Sequence, residues 1–259
     1  MRAVALHEDV VVATSDIWQT TCTAVRGSAD EAFVIDSLVL PGELDSLPAL
    51  MEQAGFTVVG LLVTHADWDH VLARLAFPEA PLGVGESTAA RMRATPGEAQ
   101  RSLREFDDRH YLDRPPLSLG AVQELPVPGT CDVGERTLEL HPTPGHTADG
   151  MAVLADWAGV LCVGDYLSPV EIPMLWRRAS LPDYRETLER LRALVERATH
   201  IVPGHGAPMS RDRALEVLGE DLRYLDALAD SGAAASLPRL PRSAEQRKVH
   251  AENVRRLSC

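Results

Sequence analysis

Lysine is almost absent from this chain. Lys248 is the only lysine among 25 basic residues, which face 38 acidic ones, and the formal charge is −13. Proteins that grip nucleic acid need a basic face that displaces counterions from phosphates, so no nucleic-acid partner is expected. Cysteine is scarce as well. Cys22, Cys131, Cys162 and Cys259 show no C-x-x-C spacing, so neither a disulfide framework nor a cysteine zinc site is indicated. No apolar run approaches the roughly 20 residues a membrane helix requires. The opening stretch from Met1 to Asp9 carries acids where a secretory leader needs an apolar core. A cytoplasmic protein without a membrane partner is expected. Internal repeats and low-complexity linkers are missing too, as are a Gly-x-Ser-x-Gly nucleophile elbow and a phosphate-cradling glycine loop.

What is present is a chain of 259 residues, 45% hydrophobic, enough for one large domain spanning residues 1–259. Its N-terminal third is strand-like, with apolar runs at Val10–Ala13 and Ala32–Leu40 separated by turn chemistry at Gly27-Ser28 and Pro41-Gly42. Helical spacing follows over Ser46–Ala54. Four later segments share one design, a short apolar run that leads at once into a turn rich in metal-ligand types. Val58–Thr64 leads into His65-Ala-Asp-Trp-Asp-His70, Thr137–Leu140 into His141-Pro-Thr-Pro-Gly-His146, Gly159–Val163 into Gly164-Asp165, and Ile201-Val202 into Pro203-Gly-His205-Gly206. Helical periodicity at Asp183–Arg197 and Arg211–Leu228 alternates with these strands, which indicates an α/β protein. An amphipathic stretch, Glu98–Tyr111, between Pro96-Gly97 and Pro115-Pro116, reads as a helical cap inserted at about 98–116. A helical C-terminal tail runs over about 211–259, and would either cover the body or form a homodimer contact.

His65-x-Asp67-x-Asp69-His70 is the sharpest signal. A transition metal needs neutral imidazoles and carboxylates converging on one volume, and a tight loop after a strand can turn alternate side chains inward. Singly, His146 reads as a turn residue, Asp165 as a helix cap, and His205 as a side chain between two glycines that allow close backbone approach. Taken in order and spacing, they belong together.

With those residues in place, the chain resembles the metallo-β-lactamase superfamily from about Phe33 to Pro208. The resemblance implies an αββα sandwich, two mixed sheets flanked by helices, with a dinuclear metal centre at one edge. It implies that His65, Asp67, His146 and Asp165 hold one ion and that Asp69, His70, Asp165 and His205 hold the other, with Asp165 bridging. One position departs from the pattern, because the family's most frequent motif has a second histidine where Asp67 stands. Asp-containing motifs resemble those of competence-type DNA-uptake proteins, and a Glu there resembles the diiron flavoproteins. The extra carboxylate is a harder ligand, so zinc is expected with manganese or iron as alternatives, and a single-metal site remains an alternative to two.

The expected function is hydrolysis of an ester or thioester, or a lactone, of a small-molecule substrate, resembling hydroxyacylglutathione hydrolases. Metal-bound hydroxide would attack the carbonyl while Asp69 orients the nucleophile and receives its proton. Alternatives are a phosphodiesterase or nuclease, an iron redox protein, and a metal-binding protein without turnover. Substrate walls are expected from Glu98–Tyr111 and from Tyr166–Ser180, where Trp176, Arg177 and Arg178 would bind a substrate carboxylate. Trp68 reads as a packing residue.

Overall fold

The computed structural model describes residues 1–176, 179–239 and 243–257. The first half of the chain forms β1 (Arg2–His7), β2 (Val10–Thr14), β3 (Thr21–Arg26), β4 (Glu31–Asp36), α1 (Pro41–Gln53), β5 (Thr57–Val63), α2 (Ala73–Ala76), β6 (Leu82–Gly85), α3 (Glu86–Ala94), α4 (Glu98–His110) and β7 (Val122–Leu125). Its strands lie in sequence order in one mixed sheet, antiparallel from β1 to β4 and parallel from β4 to β7. The second half supplies β8 (Gly129–Val133), β9 (Arg136–Pro142), β10 (Met151–Ala155), β11 (Val160–Cys162), α5 (Leu181–Arg197), β12 (His200–Val202), β13 (Met209–Ser210), α6 (Arg211–Ser231) and α7 (Ala244–Leu257). The second sheet runs β13-β12-β11-β10-β9-β8, and α5 is the crossover that makes β11 and β12 parallel.

The two sheets stack face to face and helices cover both outer faces. Period-2 patterning explains why. On β10, Met151, Val153 and Ala155 enter the layer between the sheets, where they meet Val10, Val12, Ile35 and Leu62. The alternate residues Ala152 and Leu154 face outward onto Leu188, Leu191 and Val195 of α5 and Val217 and Leu225 of α6. The first sheet repeats this on its own outer face, where Ala13, Val34 and Leu61 meet Leu47 and Met51 of α1. Strands covered on both faces become continuously apolar, and fully burying each such side chain contributes about 1.5–3 kcal/mol.

Two boundaries differ from the sequence reading. Pro41-Gly42 is not a turn but the start of α1, five residues ahead of Ser46. A proline at the first helical position gives up an N–H that has no partner there anyway, and the Glu43 carboxylate reaches back to accept from Leu40 N–H. Met151–Ala155 is a strand that a search for ligand-bearing turns passes over. The helix at 98–110 packs inward: Ala99 and Leu103 join the cluster around α1, and Phe106 meets Trp18 and Trp68 edge to face and tilted, at 5.0 and 4.7 Å between ring centroids. Among the described residues no helix is long and apolar enough to cross a membrane.

Candidate metal centre

Four strands end at the same rim of the sandwich. Asp36 is the last residue of β4, the His65–His70 loop follows β5, Asp165 follows β11 and His205 follows β12, while His146 lies in the β9–β10 connection. The open ends of parallel strands are where α/β proteins gather their functional groups, and here two sheets contribute to one cluster.

The distances divide that cluster into two groups. Asp67 Oδ2 lies 3.6 Å from both His65 Nε2 and His146 Nε2, and Asp165 Oδ2 lies 3.6 and 3.3 Å from the same two nitrogens. Ligands about 2.0–2.1 Å from a tetrahedral ion stand about 3.3–3.4 Å apart, so these four atoms fit the edges of one coordination shell. Asp165 Oδ1 turns to the other side, 3.1 Å from His70 Nε2 and 3.5 Å from His205 Nε2, and Asp69 Oδ2 lies 3.4 Å from His205 Nε2 and 4.0 Å from His70 Nε2. A single carboxylate thus presents one oxygen to each group. His65 Nε2, His70 Nε2, His146 Nε2 and Asp165 Oδ1 are buried and have no hydrogen-bond partner within the protein. Buried polar atoms without partners are costly, and divalent ions would satisfy all of them at once. The residues fit a dinuclear centre.

The far side of each imidazole is held. Asp36 accepts from Thr64 N at 2.7 Å, from Thr64 Oγ1 at 2.8 Å and from His70 Nδ1 at 3.0 Å. Because the Thr64 hydroxyl donates to Asp36, it accepts from His65 Nδ1, 3.1 Å away. His146 Nδ1 donates to Met174 O at 2.9 Å and His205 Nδ1 to Trp18 O at 3.2 Å. In every case Nδ1 carries the proton and Nε2 is left as a lone pair facing the cluster, the arrangement by which outer contacts fix the tautomer of a ligand. Trp18 and Gln19 both adopt left-handed φ, 54° and 53°, which is unfavourable for bulky residues. Their loop is held against the His205 turn by Gly206 N to Gln19 O and Thr21 N to Gly204 O. Gly204 has to be glycine here, since a Cβ would lie 2.4 Å from Asp165 Oδ1.

Electrostatics bind the cluster together. Burial pushes carboxylates up and imidazoles down. Against that burial, the facing His146 and His65 imidazoles hold Asp67 well below the usual carboxylate range, and the nearby imidazoles do the same for Asp165. His205 is likewise buried, yet the carboxylates of Glu171, Asp165 and Asp69 raise it to about 10. His70 and His146 are raised as well, so a cation arriving at this cluster competes with protons for these three imidazoles.

All seven residues of the motif therefore meet at one place. Asp36, Arg91 and Asp149 around them were not among the expected residues. Asp36 had a signal, a charge inside the apolar run 32–40. Asp149 sits three residues after His146, and nothing in the sequence singles out Arg91. A cavity of about 470 Å³ opens over the cluster, lined by Trp18, Trp68, Glu98, Ser102, Ile172, Met174, Trp176 and the α7 residues Gln246 and Val249, among others. Trp68 both packs on Phe106 and faces this cavity. Trp176 lines it, with the Arg256 guanidinium 5.2 Å from its ring, whereas Arg177 and Arg178 lie outside the described residues. His110 stacks on Phe106 at 4.4 Å and is not among the lining residues.

The fold and site define a class, an αββα sandwich with a histidine–aspartate metal cluster at one rim. The superfamily model named metallo-beta-lactamase superfamily matches residues 15–205, and the chain belongs to that superfamily. Among solved structures it is similar to the metallo-beta-lactamase family protein TTHA1429 from Thermus thermophilus, with 23% identity over 96% of this chain and 92% of that one and a TM-score of 0.68. It is also similar to the BLEG-1 B3 metallo-beta-lactamase, with 19% identity over 79% and 95% and a TM-score of 0.62. For the DIM-1 metallo-beta-lactamase exposed to ceftazidime the values are 16%, 84%, 94% and 0.62. At these identities the likeness is one of fold. No curated protein matches the chain.

Proposed function

We propose that this protein is a dinuclear metallo-hydrolase that cleaves an ester or thioester bond of a small molecule. The observation that carries the reading is the division of Asp165, one oxygen to each of two orphaned ligand groups, beneath a cavity of about 470 Å³. That volume lies in the range of small-molecule sites. His65, Asp67, His146 and Asp165 Oδ2 would hold one ion; Asp69, His70, His205 and Asp165 Oδ1 would hold the other. Divalent ions held there, zinc first, would supply Lewis-acid polarisation of a carbonyl and would acidify water.

The chain's own groups do the rest. Asp69 lines the cavity and is the proton acceptor for an attacking water at its carboxylate. Trp18, Trp68 and Ile172 offer apolar wall for the acyl group and limit the water around it. Asp16, Glu98, Glu171 and Glu245 also line the cavity, and Arg91, the only arginine or lysine among the described lining residues, is engaged by Asp67 and Asp149. This favours a carbon ester or thioester over a polyanionic phosphodiester.

Metal analysis of the purified protein, followed by an ester, thioester, lactone and phosphodiester panel on wild type and Asp165→Ala, tests the reading. Two zinc or manganese ions per chain and ester or thioester turnover that falls at least 100-fold in Asp165→Ala are expected. Equal turnover by both proteins rejects it. Turnover of phosphodiesters alone assigns the site to nuclease-type chemistry, and bound iron with an optical signature assigns it to redox chemistry.

A further inference from the structure

Asp67 occupies a position that is a histidine in the family's most frequent motif, and the two side chains differ as ligands. A histidine oriented through Nδ1 offers one atom, Nε2. A carboxylate offers two equivalent oxygens and can rotate, take an ion with both, or turn away. In this chain Asp67 is given only one free oxygen. Its Oδ1 is taken by Nη2 of Arg91, from α3, and its Oδ2 is the atom aimed at His65 and His146. Arg91 Nη1 donates at 2.9 Å to Asp149 Oδ1, and the other oxygen of Asp149 accepts from Ala66 N at 3.0 Å. Glu98 Oε1 lies 4.0 Å from the same guanidinium.

We propose that Arg91 is a positioning residue which, braced by Asp149, makes Asp67 a single-oxygen ligand and so lets an aspartate stand in for a histidine. The inference rests on the dinuclear reading above. Its geometry ties together two of the segments that carry ligands of the first metal group and braces them on a third element. Asp67 and Ala66 lie in the loop after β5, Asp149 lies in the connection that carries His146, and Arg91 comes from a helix that supplies no ligand. A guanidinium suits the task because its rigid planar fork holds two carboxylates in a fixed relation, whereas the three donors of an ammonium rotate. The Arg91 and Asp149 side chains are 16% and 2% exposed, so the clamp is shielded from the solvent screening that weakens surface pairs.

Charge alone predicts the opposite of this role. A guanidinium beside a cation site repels the cation, and its loss by itself would tighten metal binding. Removing Arg91 and Asp149 together separates the two effects, since Arg91→Met with Asp149→Asn leaves the net charge unchanged while the fork is lost. The amide introduced at position 149 keeps an oxygen for Ala66 N–H.

Zinc(II) competition against a chromophoric chelator, with cobalt(II) spectra of the same samples, tests the proposal. Wild type is expected to hold two ions. Arg91→Met/Asp149→Asn is expected to hold one with unchanged affinity and the other 10- to 100-fold more weakly, the usual effect of losing an outer contact to a ligand. The retained cobalt spectrum of the Asp69–His70–His205 group shows that the variant is folded. Adding Asp67→His to that background is expected to restore the second ion, because an imidazole presents its single donor without a clamp. Two zinc ions at wild-type affinity in the double variant overturn the proposal, as does failure of Asp67→His to restore binding. A wild type that takes up no divalent metal overturns instead the dinuclear reading beneath it.

Discussion

Asp36 illustrates how single residues do work that their neighbours in sequence conceal. It sits at φ 57° at the end of β4, buried, and accepts three hydrogen bonds, two from Thr64 and one from His70. Two of the four imidazoles depend on it, His70 directly and His65 through the Thr64 hydroxyl. In Asp36→Asn the amide oxygen can still accept from Thr64 N. Its NH2 then faces two donors, the Thr64 hydroxyl and His70 Nδ1–H. We expect a 10- to 100-fold loss of zinc affinity, read by chelator competition, with little change in the circular dichroism spectrum. Unchanged affinity would mean that His70 is oriented by its packing alone. The ligands were legible as residues because His and Asp at i, i+2, i+4 and i+5 have few other reasons to recur after a strand. Asp36 showed only as a charge in an apolar run and Arg91 not at all, because an outer contact needs only one donor or acceptor in reach and leaves no spacing behind.

At the scale of elements, the C-terminal helix matters most. Asn253 of α7 is fully buried and accepts from Leu175 N at 2.8 Å, while its amide donates to Pro173 O at 2.7 Å and to the Tyr224 hydroxyl at 3.1 Å. Gln246 donates to Val170 O at 2.8 Å, and Arg239 donates twice to Glu171 O. The segment that follows Asp165 and walls the cavity is therefore bolted to the end of the chain through its backbone. Asn253→Ala orphans a buried N–H and a buried C=O, at roughly 1–3 kcal/mol each. Faster hydrogen exchange at the Leu175 amide and a lower melting temperature are expected, and unaltered exchange there would refute the bolt. Helices α5 and α6 were legible from apolar periodicity. The tail reads as helical in sequence, but how α7 docks was not legible, for a physical reason: its buried residues are the polar Gln246 and Asn253, with only Val249 and Val254 adding apolar contact.

The whole molecule is held as two stacked sheets, and one buried carboxylate ties them. Asp9, in the β1–β2 turn, is bonded to Arg26 of β3 at 3.0 Å and to Arg136 of β9, in the other sheet, at 2.6 Å. Burial works against its ionisation, but the two guanidinium hydrogen bonds win and lower it from the ordinary aspartate value of 3.8. A carboxyl whose folded pKa is depressed adds stability above its unfolded value and loses it as the pH falls through the folded one. Wild type should therefore exceed Asp9→Asn by about 1–3 kcal/mol at pH 7, and the two denaturation midpoints should converge below about pH 3.8. A constant gap across that range would show that the Asp9 charge is not what joins the sheets.

Residue chemistry and periodicity indicated the α/β class, the strand-then-ligand design and the order of His65, Asp67, Asp69, His70, His146, Asp165 and His205, while the layered sandwich and the sharing of ligands between two ions came with the resemblance to the superfamily. Each of those signals is local, written in a few adjacent side chains whose types suit one job. Only the tertiary structure decided which oxygen of Asp165 faces which group, that Arg91 and Asp149 clamp Asp67, and that α7 walls the cavity. Those are contacts between segments tens to more than a hundred residues apart. They are selected by where packed layers bring backbone ends together, and a linear pattern holds no record of that distance.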